Sequence, residues 1–170
     1  IIPTKDHVEL LKDVIDSIFE VTTYQDFKII ILNNNSEEEK TFKYFEDIVK
    51  THSNVKVIEA SYQFNWSKLN NHGMREAGGD VYIFMNNDMK VITPDWMDRL
   101  VEKACQEHIG VVGGLLLYED GTIQHAGVVV GIGGWADHTF KGMSPVHQGS
   151  PFVSPMVTRD VTACTGALIA

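Results

Sequence analysis

The run Met85-Asn86-Asn87-Asp88 closes an apolar stretch that begins at Val81. A carboxylate just past the end of a buried strand offers hard oxygen ligands to Mg²⁺ or Mn²⁺ in a cleft open to water. One carboxylate fills little of such an ion's shell, so Asp88 implies a ligand that brings oxygens of its own, as nucleotide phosphates do. Taken alone, Asn-Asn-Asp is equally the chemistry of a turn or a helix cap. A second amide-rich run, Asn33-Asn34-Asn35-Ser36, follows another apolar stretch. Downstream, His125 and His138 flank a region rich in β-formers. Either imidazole could face a bound ligand or add a metal ligand, and either could simply be bonded within a hairpin or lie on the surface. Trp66 and Trp135 suit stacking on a sugar ring or packing at a rim, and Arg75 suits a diphosphate contact or a solvated helix face.

The elements that must position these residues alternate. Residues 8–19 carry apolar side chains at helical spacing, and residues 27–32 form an apolar strand interrupted only by Lys28. Ser36 is a plausible N-cap for an acidic first turn at residues 37–39, with a helix from there to about His52. Residues 55–58 predict a third strand, 67–77 a helix stopped by Gly78-Gly79, and 81–85 a fully apolar strand. Such alternation is the signature of βαβ units and a largely parallel sheet with helices on both faces. In open α/β sheets ligands bind at the carboxyl ends of strands, where both Asn-rich runs fall.

After Asp88 the pattern changes. Residues 95–107 predict a helix, and residues 111–118 and 122–130 flank Glu119-Asp120-Gly121 as a hairpin. Residues 133–161 hold several Gly, Pro and Ser with little periodicity and read as a long loop of the kind that often lines a site. The chain reads as one domain over 1–170, with 1–88 a nucleotide-binding half and 89–170 the start of a second half. It begins Ile1-Ile2-Pro3 and stops inside the apolar run 166–170, so both ends are expected to be cuts from a longer protein.

Composition narrows the functions. Fourteen Lys and Arg against 23 Asp and Glu give a net charge of -9, a balance that repels a nucleic-acid backbone and makes a nucleotide site depend on a cation. Cys105 and Cys164 form neither a disulfide framework nor a zinc pattern, so reduced thiols and a cytoplasmic location, or a peripheral one at the inner face of the cell membrane, are expected. No run approaches the roughly 18 to 20 apolar residues of a membrane span.

Taken together, Ile1-Ile2-Pro3-Thr4, Ile31-Leu32-Asn33-Asn34-Asn35-Ser36, and Asn70, Ala77, Gly78 or Gly79, Asp80 and Phe84-Met85-Asn86-Asn87-Asp88 resemble, in order and spacing, family 2 glycosyltransferases of GT-A fold. Thr93-Pro94-Asp95-Trp96 and Asp120-Gly121-Thr122-Ile123-Gln124-His125-Ala126-Gly127 resemble the subgroup that builds bacterial O-antigen and other cell-surface polysaccharides. The resemblance implies metal-dependent, inverting transfer of a sugar from a UDP- or dTDP-sugar to the hydroxyl of a saccharide or lipid-linked saccharide. It implies that Pro3 and Thr4 border the base, that the turn of Asn33, Asn34 and Asn35 holds uracil or its equivalent, that Asn70 and Asn87 help bind the nucleotide, and that Asp88 binds Mn²⁺ or Mg²⁺ bridging the diphosphate. The family's usual acids at two of these positions are Asn33 and Asn86 here. An amide can still bond a base edge, and Asp88 is left as the essential carboxylate.

The implied reaction needs a base for the acceptor proton. The resemblance places it beyond Ala170, and Asp137 and Asp160 are not nominated. Three rivals follow from the same residues. Gly131 to Ala136 formally fits a dinucleotide fingerprint, but the glycines and prolines after it oppose the helix that the fingerprint needs. A nucleotidyltransferase lacks its Gly-rich cradle after Ile2. A non-catalytic nucleotide-sugar-binding module is motivated by the two Asn departures.

Overall fold

The computed structural model describes residues 1–131, 134–146 and 154–170. Its first part is β1 (Ile2–Thr4), α1 (Val8–Val21), β2 (Ile29–Asn33), α2 (Glu39–Thr51), β3 (Val55–Glu59), α3 (Trp66–Ala77) and β4 (Phe84–Met85). The strands β1, β2 and β3 form a parallel sheet with β2 in the middle. All five β2 residues are buried, which is why the strand reads as an unbroken apolar run up to its last residue, Asn33. β4 lies along the free edge of β1: the backbone nitrogen of Ile1 donates to Ile83 O at 2.8 Å and Met85 N donates to Ile1 O at 3.0 Å, the two bonds flanking Phe84 as in a parallel ladder.

Successive β2 side chains alternate between the two faces of the sheet. Ile29 and Ile31 pack with Leu11, Val14 and Ile15 of α1, Phe45 and Ile48 of α2, and Met97 and Leu100 further on. Ile30 and Leu32 pack on the other face with Leu69 of α3 and Ala60. Helices therefore cover both faces, as the sequence pattern predicts.

The second part comprises α4 (Trp96–Ala104), β5 (Leu116–Leu117), β6 (Ile123–His125), β7 (Val128–Val130), β8 (Ala136–His138) and β9 (Leu168–Ile169). β9 pairs antiparallel with β4, Phe84 opposite Ile169 and Met85 opposite Leu168. It thereby extends the sheet to the order β3-β2-β1-β4-β9. Val112 and Ala170 exchange backbone bonds of 2.8 and 2.9 Å on its far side. No described helix is long and apolar enough to cross a membrane.

Four expectations are corrected. Ser36 does not cap α2: the two bonds to its amino end come from Asp6 Oδ1, which accepts from Glu37 N and Glu38 N, both at 2.9 Å. The Ser36 hydroxyl instead accepts from Asp6 N at 2.9 Å, so the loops after β1 and β2 are sewn together from both sides. The strand expected at 81–85 is Phe84–Met85, its pairing with β1 running from Phe84 opposite Ile1 toward the carboxyl end. The hairpin expected over 111–130 is two. β6 pairs with β5, then the chain turns at Gly127 (φ 100°) and β7 pairs with β8. A Cβ at Gly127 would lie 2.5 Å from Val161 Cγ1, so conformation and space both require glycine there. Residues 132–133 and 147–153 of the fingerprint and long loop lie outside the described residues; the described part of the loop contains a strand, Ala136–His138, at which the formal fingerprint ends.

Candidate functional site

Thr4, Asn33 and Glu59 are register partners across β1, β2 and β3, so their side chains share one face at the carboxyl ends of the strands. Thr4 Oγ1 accepts from Asn87 Nδ2 at 3.0 Å, which continues the row to the end of β4. The chain leaves β1 through α1 toward β2 and returns through α3 to β4 on the other side. The Thr4–Asn87 contact thus bridges the point where strand order reverses, the place where open α/β sheets bind ligands.

The amides of this row are largely engaged within the protein. Asn33 is 1% exposed; its Nδ2 donates to both Glu59 carboxylate oxygens, at 3.0 and 2.9 Å, and its Oδ1 accepts from Ser36 N at 3.0 Å. The buried Asn34 gives its Nδ2 to Ala60 O and Tyr62 O at 2.7 and 2.8 Å, and its backbone N to Thr4 O at 2.8 Å. Asn35 is exposed, at φ 62°, and also donates to Tyr62 O, at 2.9 Å. The three asparagines therefore pin the loop after β3 against the turn after β2. Pro3 is half-buried beside Leu32 in mid-strand. The bonds from Glu38 N and Glu37 N hold the Asp6 carboxyl below the ordinary carboxylate range, the one from Glu38 most.

Asp88 is exposed one residue beyond Asn87, and Asn86 N donates to Ala167 O at 2.9 Å. Among the described residues no three His, Cys, Asp or Glu side chains gather to hold a metal. The protein's own donors at this corner are one carboxylate and the amide and carbonyl oxygens of Asn86 and Asn87. All are hard oxygens that suit Mg²⁺ or Mn²⁺ if a ligand's phosphates complete the shell. Asn70 is 3% exposed on α3; its Nδ2 donates to Trp66 O at 3.0 Å, while its buried Oδ1 has no partner among the described residues. Gly73, one turn on, packs on Ile1 and Leu32, so Asn70 lies nearer the carboxyl end of β1.

A second polar site lies beside the first, on the far side of β9. A cavity of about 190 Å³ is lined by Tyr118, Gln124, His125, His138, Lys141 and Thr165, and also by Ala167, the residue whose carbonyl meets Asn86 N. His125 is 2% exposed, and its Nδ1 stands 2.8 Å from Nδ1 of His138, the rings edge-on at 83°. Thr165 N donates to His125 Nε2 at 3.4 Å. With Nε2 accepting that bond, a neutral His125 carries its proton on Nδ1, facing Nδ1 of His138. Burial, and secondarily the proximity of His138, push His125 down to about 4.

Both histidines thus meet, and the partners of His125, His138 and Thr165 N, lie outside the hairpin that carries it. Trp66 packs edge-on to Phe84 and against Gly166, whereas Trp135 is 85% exposed and Arg75 is exposed. Asp137 Oδ1 accepts from His138 N at 2.7 Å, and Asp160 is exposed. A larger cavity, about 440 Å³, opens at the amino ends of the strands among Phe27, Ile29, Tyr82 and Trp96, away from the polar row. Sequence reasoning missed Glu59 by ending the third strand one residue early, and missed Asp6 and Thr165 because their partners are distant in sequence.

The sequence profile described as Glycosyl transferase family 2 matches residues 1–141. The O-antigen biosynthesis protein RfbC of Myxococcus xanthus is 36% identical over 169 residues, 99% of this chain and 13% of that protein. The protein y4gI of Sinorhizobium fredii (strain NBRC 101917 / NGR234) is 41% identical over 169 residues, again 99% of this chain, and 18% of its own length. The chain therefore spans less than one fifth of either relative. Among solved structures, the mannosyltransferase PcManGT from Pyrobaculum calidifontis, in complex with GDP-Man and Mn²⁺, superposes with a TM-score of 0.61 at 17% identity, covering 69% of this chain and 34% of that one. The likeness establishes the GT-A fold expected from the sequence.

Proposed function

Because the chain belongs to glycosyl transferase family 2, we propose that it binds a nucleotide sugar at the carboxyl ends of β1, β2 and β4 and serves metal-dependent, inverting sugar transfer in cell-surface polysaccharide synthesis. The observation that carries this reading is the Thr4–Asn87 contact at the strand-order reversal, with the exposed Asp88 carboxylate beside it. Asp88 would hold Mn²⁺ or Mg²⁺ together with the donor's phosphate oxygens, and the ion would neutralise charge developing on the leaving diphosphate. Thr4 and Asn87 keep the end of β4 against β1, so Asp88 is presented from a fixed turn. Pro3 borders the base, and Asn70 supports the site from the helix behind, its buried Oδ1 without a partner among the described residues. The turn of Asn33, Asn34 and Asn35 shapes the base end mainly through its backbone, since its amides are engaged within the protein. The donor is a UDP- or dTDP-sugar in this reading. The complex of the Pyrobaculum protein with GDP-Man and Mn²⁺ supports a nucleotide-sugar donor and a divalent ion in general terms.

On the acceptor side, His138, held by His125 and lining the cavity, would offer its imidazole to the hydroxyls of a saccharide acceptor. The cavity is smaller than the roughly 300 to 1,000 Å³ of drug-sized pockets and suits one sugar ring. Titration calorimetry of the chain with UDP and dTDP, with and without Mn²⁺, tests the donor site. Binding is expected only with the metal, and equal binding in excess chelator would remove Asp88 from the mechanism.

A further inference from the structure

We propose that Glu59 is the carboxylate that reads the nucleobase, accepting a hydrogen bond from the N–H edge of a uracil or thymine ring; this inference rests on the donor-binding reading above.

Three observations carry it. First, Glu59 closes the polar row that runs from Asn87 through Thr4 and Asn33, on the same face of the sheet. It stands three strand steps from β4, roughly 14 Å at about 4.8 Å per step. A nucleotide whose diphosphate sits at Asp88 and which lies along the row brings its base to that end. Second, the carboxylate is oriented without being neutralised. Asn33 donates to both of its oxygens, at 3.0 and 2.9 Å, and no Lys, Arg or His forms an ion pair with it among the described residues. A carboxylate has about four lone-pair sites, so about two remain for a ligand's donors. Third, Asn33 is sealed at both ends by Ser36 N and Glu59, so the one polar group that it presents toward solvent is the carboxylate it holds.

The chemistry selects among bases. Uracil and thymine carry a hydrogen on the ring nitrogen between their two carbonyls, a donor for a carboxylate. Cytosine has a bare acceptor nitrogen at that position, which a carboxylate repels. The protein should therefore bind UDP and dTDP more tightly than CDP, and Glu59 should be the reason.

The test is calorimetry of the wild type, Glu59→Gln and Glu59→Asp with UDP, dUDP, dTDP and CDP in Mn²⁺. Gln keeps an oxygen for Asn33 and adds an N–H that cytosine accepts. Loss of one charge-assisted hydrogen bond corresponds to about a 10- to 100-fold weakening. Glu59→Gln is thus expected to weaken UDP and dTDP by that factor, to spare CDP, and to leave the melting temperature unchanged because Glu59 is exposed. Glu59→Asp, which withdraws the carboxylate by one methylene, should fall between. If the variants bind UDP as the wild type does, with the same UDP/CDP ratio, the inference is overturned and the donor site stands. If they lose UDP and CDP equally while the UDP/dUDP ratio collapses, the carboxylate holds the ribose and base reading is overturned. If the wild type binds no nucleoside diphosphate, the donor-binding reading itself fails.

Discussion

The two parts of this chain are held together by different means. In residues 1–88 the sheet is set by burial: β2 alternates its side chains between two apolar clusters, and each helix docks one stripe on one face. Among the described residues of 111–170 the strands are two or three residues long and pair two by two, and polar bonds join the pieces around the buried Leu116, Ile123 and Leu168. Thr139 Oγ1 donates to Ala126 O at 2.9 Å; Arg159 donates to Ala126 O and Ser154 O at 2.5 and 2.6 Å; His125 bridges Thr165 and His138. Apolar area is non-directional and tolerates local error, while a bonded turn depends on each partner. The contrast fits a division of labour in which the first part is a rigid platform for a nucleotide and the second a polar wall that one substitution can reshape.

The largest effect should come from the platform core. Ile31, 0% exposed in the central strand, is expected to cost about 2 to 5 kcal/mol when changed to Ala. Val130→Ala in β7, at a residue 63% exposed, should stay within about 0.5 kcal/mol. Urea denaturation of the two variants checks the contrast; equal losses would mean that the second part carries a core of its own.

His125 gives the polar wall a pH dependence. Its folded value of about 4 lies below the ordinary 6.5, so the unfolded chain takes up a proton first as pH falls. The stability due to the neutral imidazole is complete above about pH 6.5 and is lost progressively toward pH 4, by up to about 3 kcal/mol at 1.36 kcal/mol per unit. Carboxylates such as Asp120 add a loss of the same sign at low pH, so the informative quantity is the difference from His125→Gln. That variant should be the less stable protein at pH 7, and the gap should narrow by pH 4. A gap constant with pH would show that His125 accepts a proton in the folded state.

At the seam of platform and wall, Asp88→Ala should weaken Mn²⁺-dependent binding of UDP at least about 100-fold, since even groups that only support a metal ligand are worth 10- to 100-fold. The urea midpoint should not move, because Asp88 is exposed. Calorimetry separates the two effects, and unchanged affinity would take the metal away from this turn.

How much of this was legible in the sequence follows the same division. Helical and strand periodicity exposes β1 to β3 and α1 to α3, because a two-faced sheet requires continuous apolar strands and striped helices. The Asn-rich strand ends are visible for the same reason. The roles of the amides are not: Asn33 reads as a ligand-facing group, but its partners Glu59 and Ser36 are fixed only once β2 and β3 are in register. Asp6 displaces Ser36 as the cap because the loop after β1 folds onto the next helix, a contact about thirty residues apart in the chain. In the second part the Asp120-Gly121 turn is legible, whereas the break at Gly127 depends on Val161 and on the pairing of β7 with β8.

The smallest effect tests whether the two parts are mechanically joined. Asn65 caps α3, its Oδ1 accepting from Lys68 N at 2.9 Å, and Asn65→Ala should cost about 1 kcal/mol, as loss of such a cap usually does. The first residue of that helix is Trp66, whose ring lies edge-on to Phe84 of β4 and against Gly166, just before β9. A Cβ at Gly166 would come 3.1 Å from Trp66 Cζ2, close enough that the ring must give by a few tenths of an ångström. If Trp66 is the joint, fraying α3 should loosen the bond from Asn86 N to Ala167 O, which joins the nucleotide corner to the histidine cavity. Hydrogen exchange at Asn86 N should then quicken in Asn65→Ala, while exchange in the middle of β2 stays as in the wild type. Gly166→Ala should disturb the same joint from the other side, so the double variant should cost less than the sum of the single ones, as coupled sites do. Strict additivity, with Asn86 exchange unmoved, would mean that platform and wall are held together by the β4–β9 ladder and not by the tryptophan.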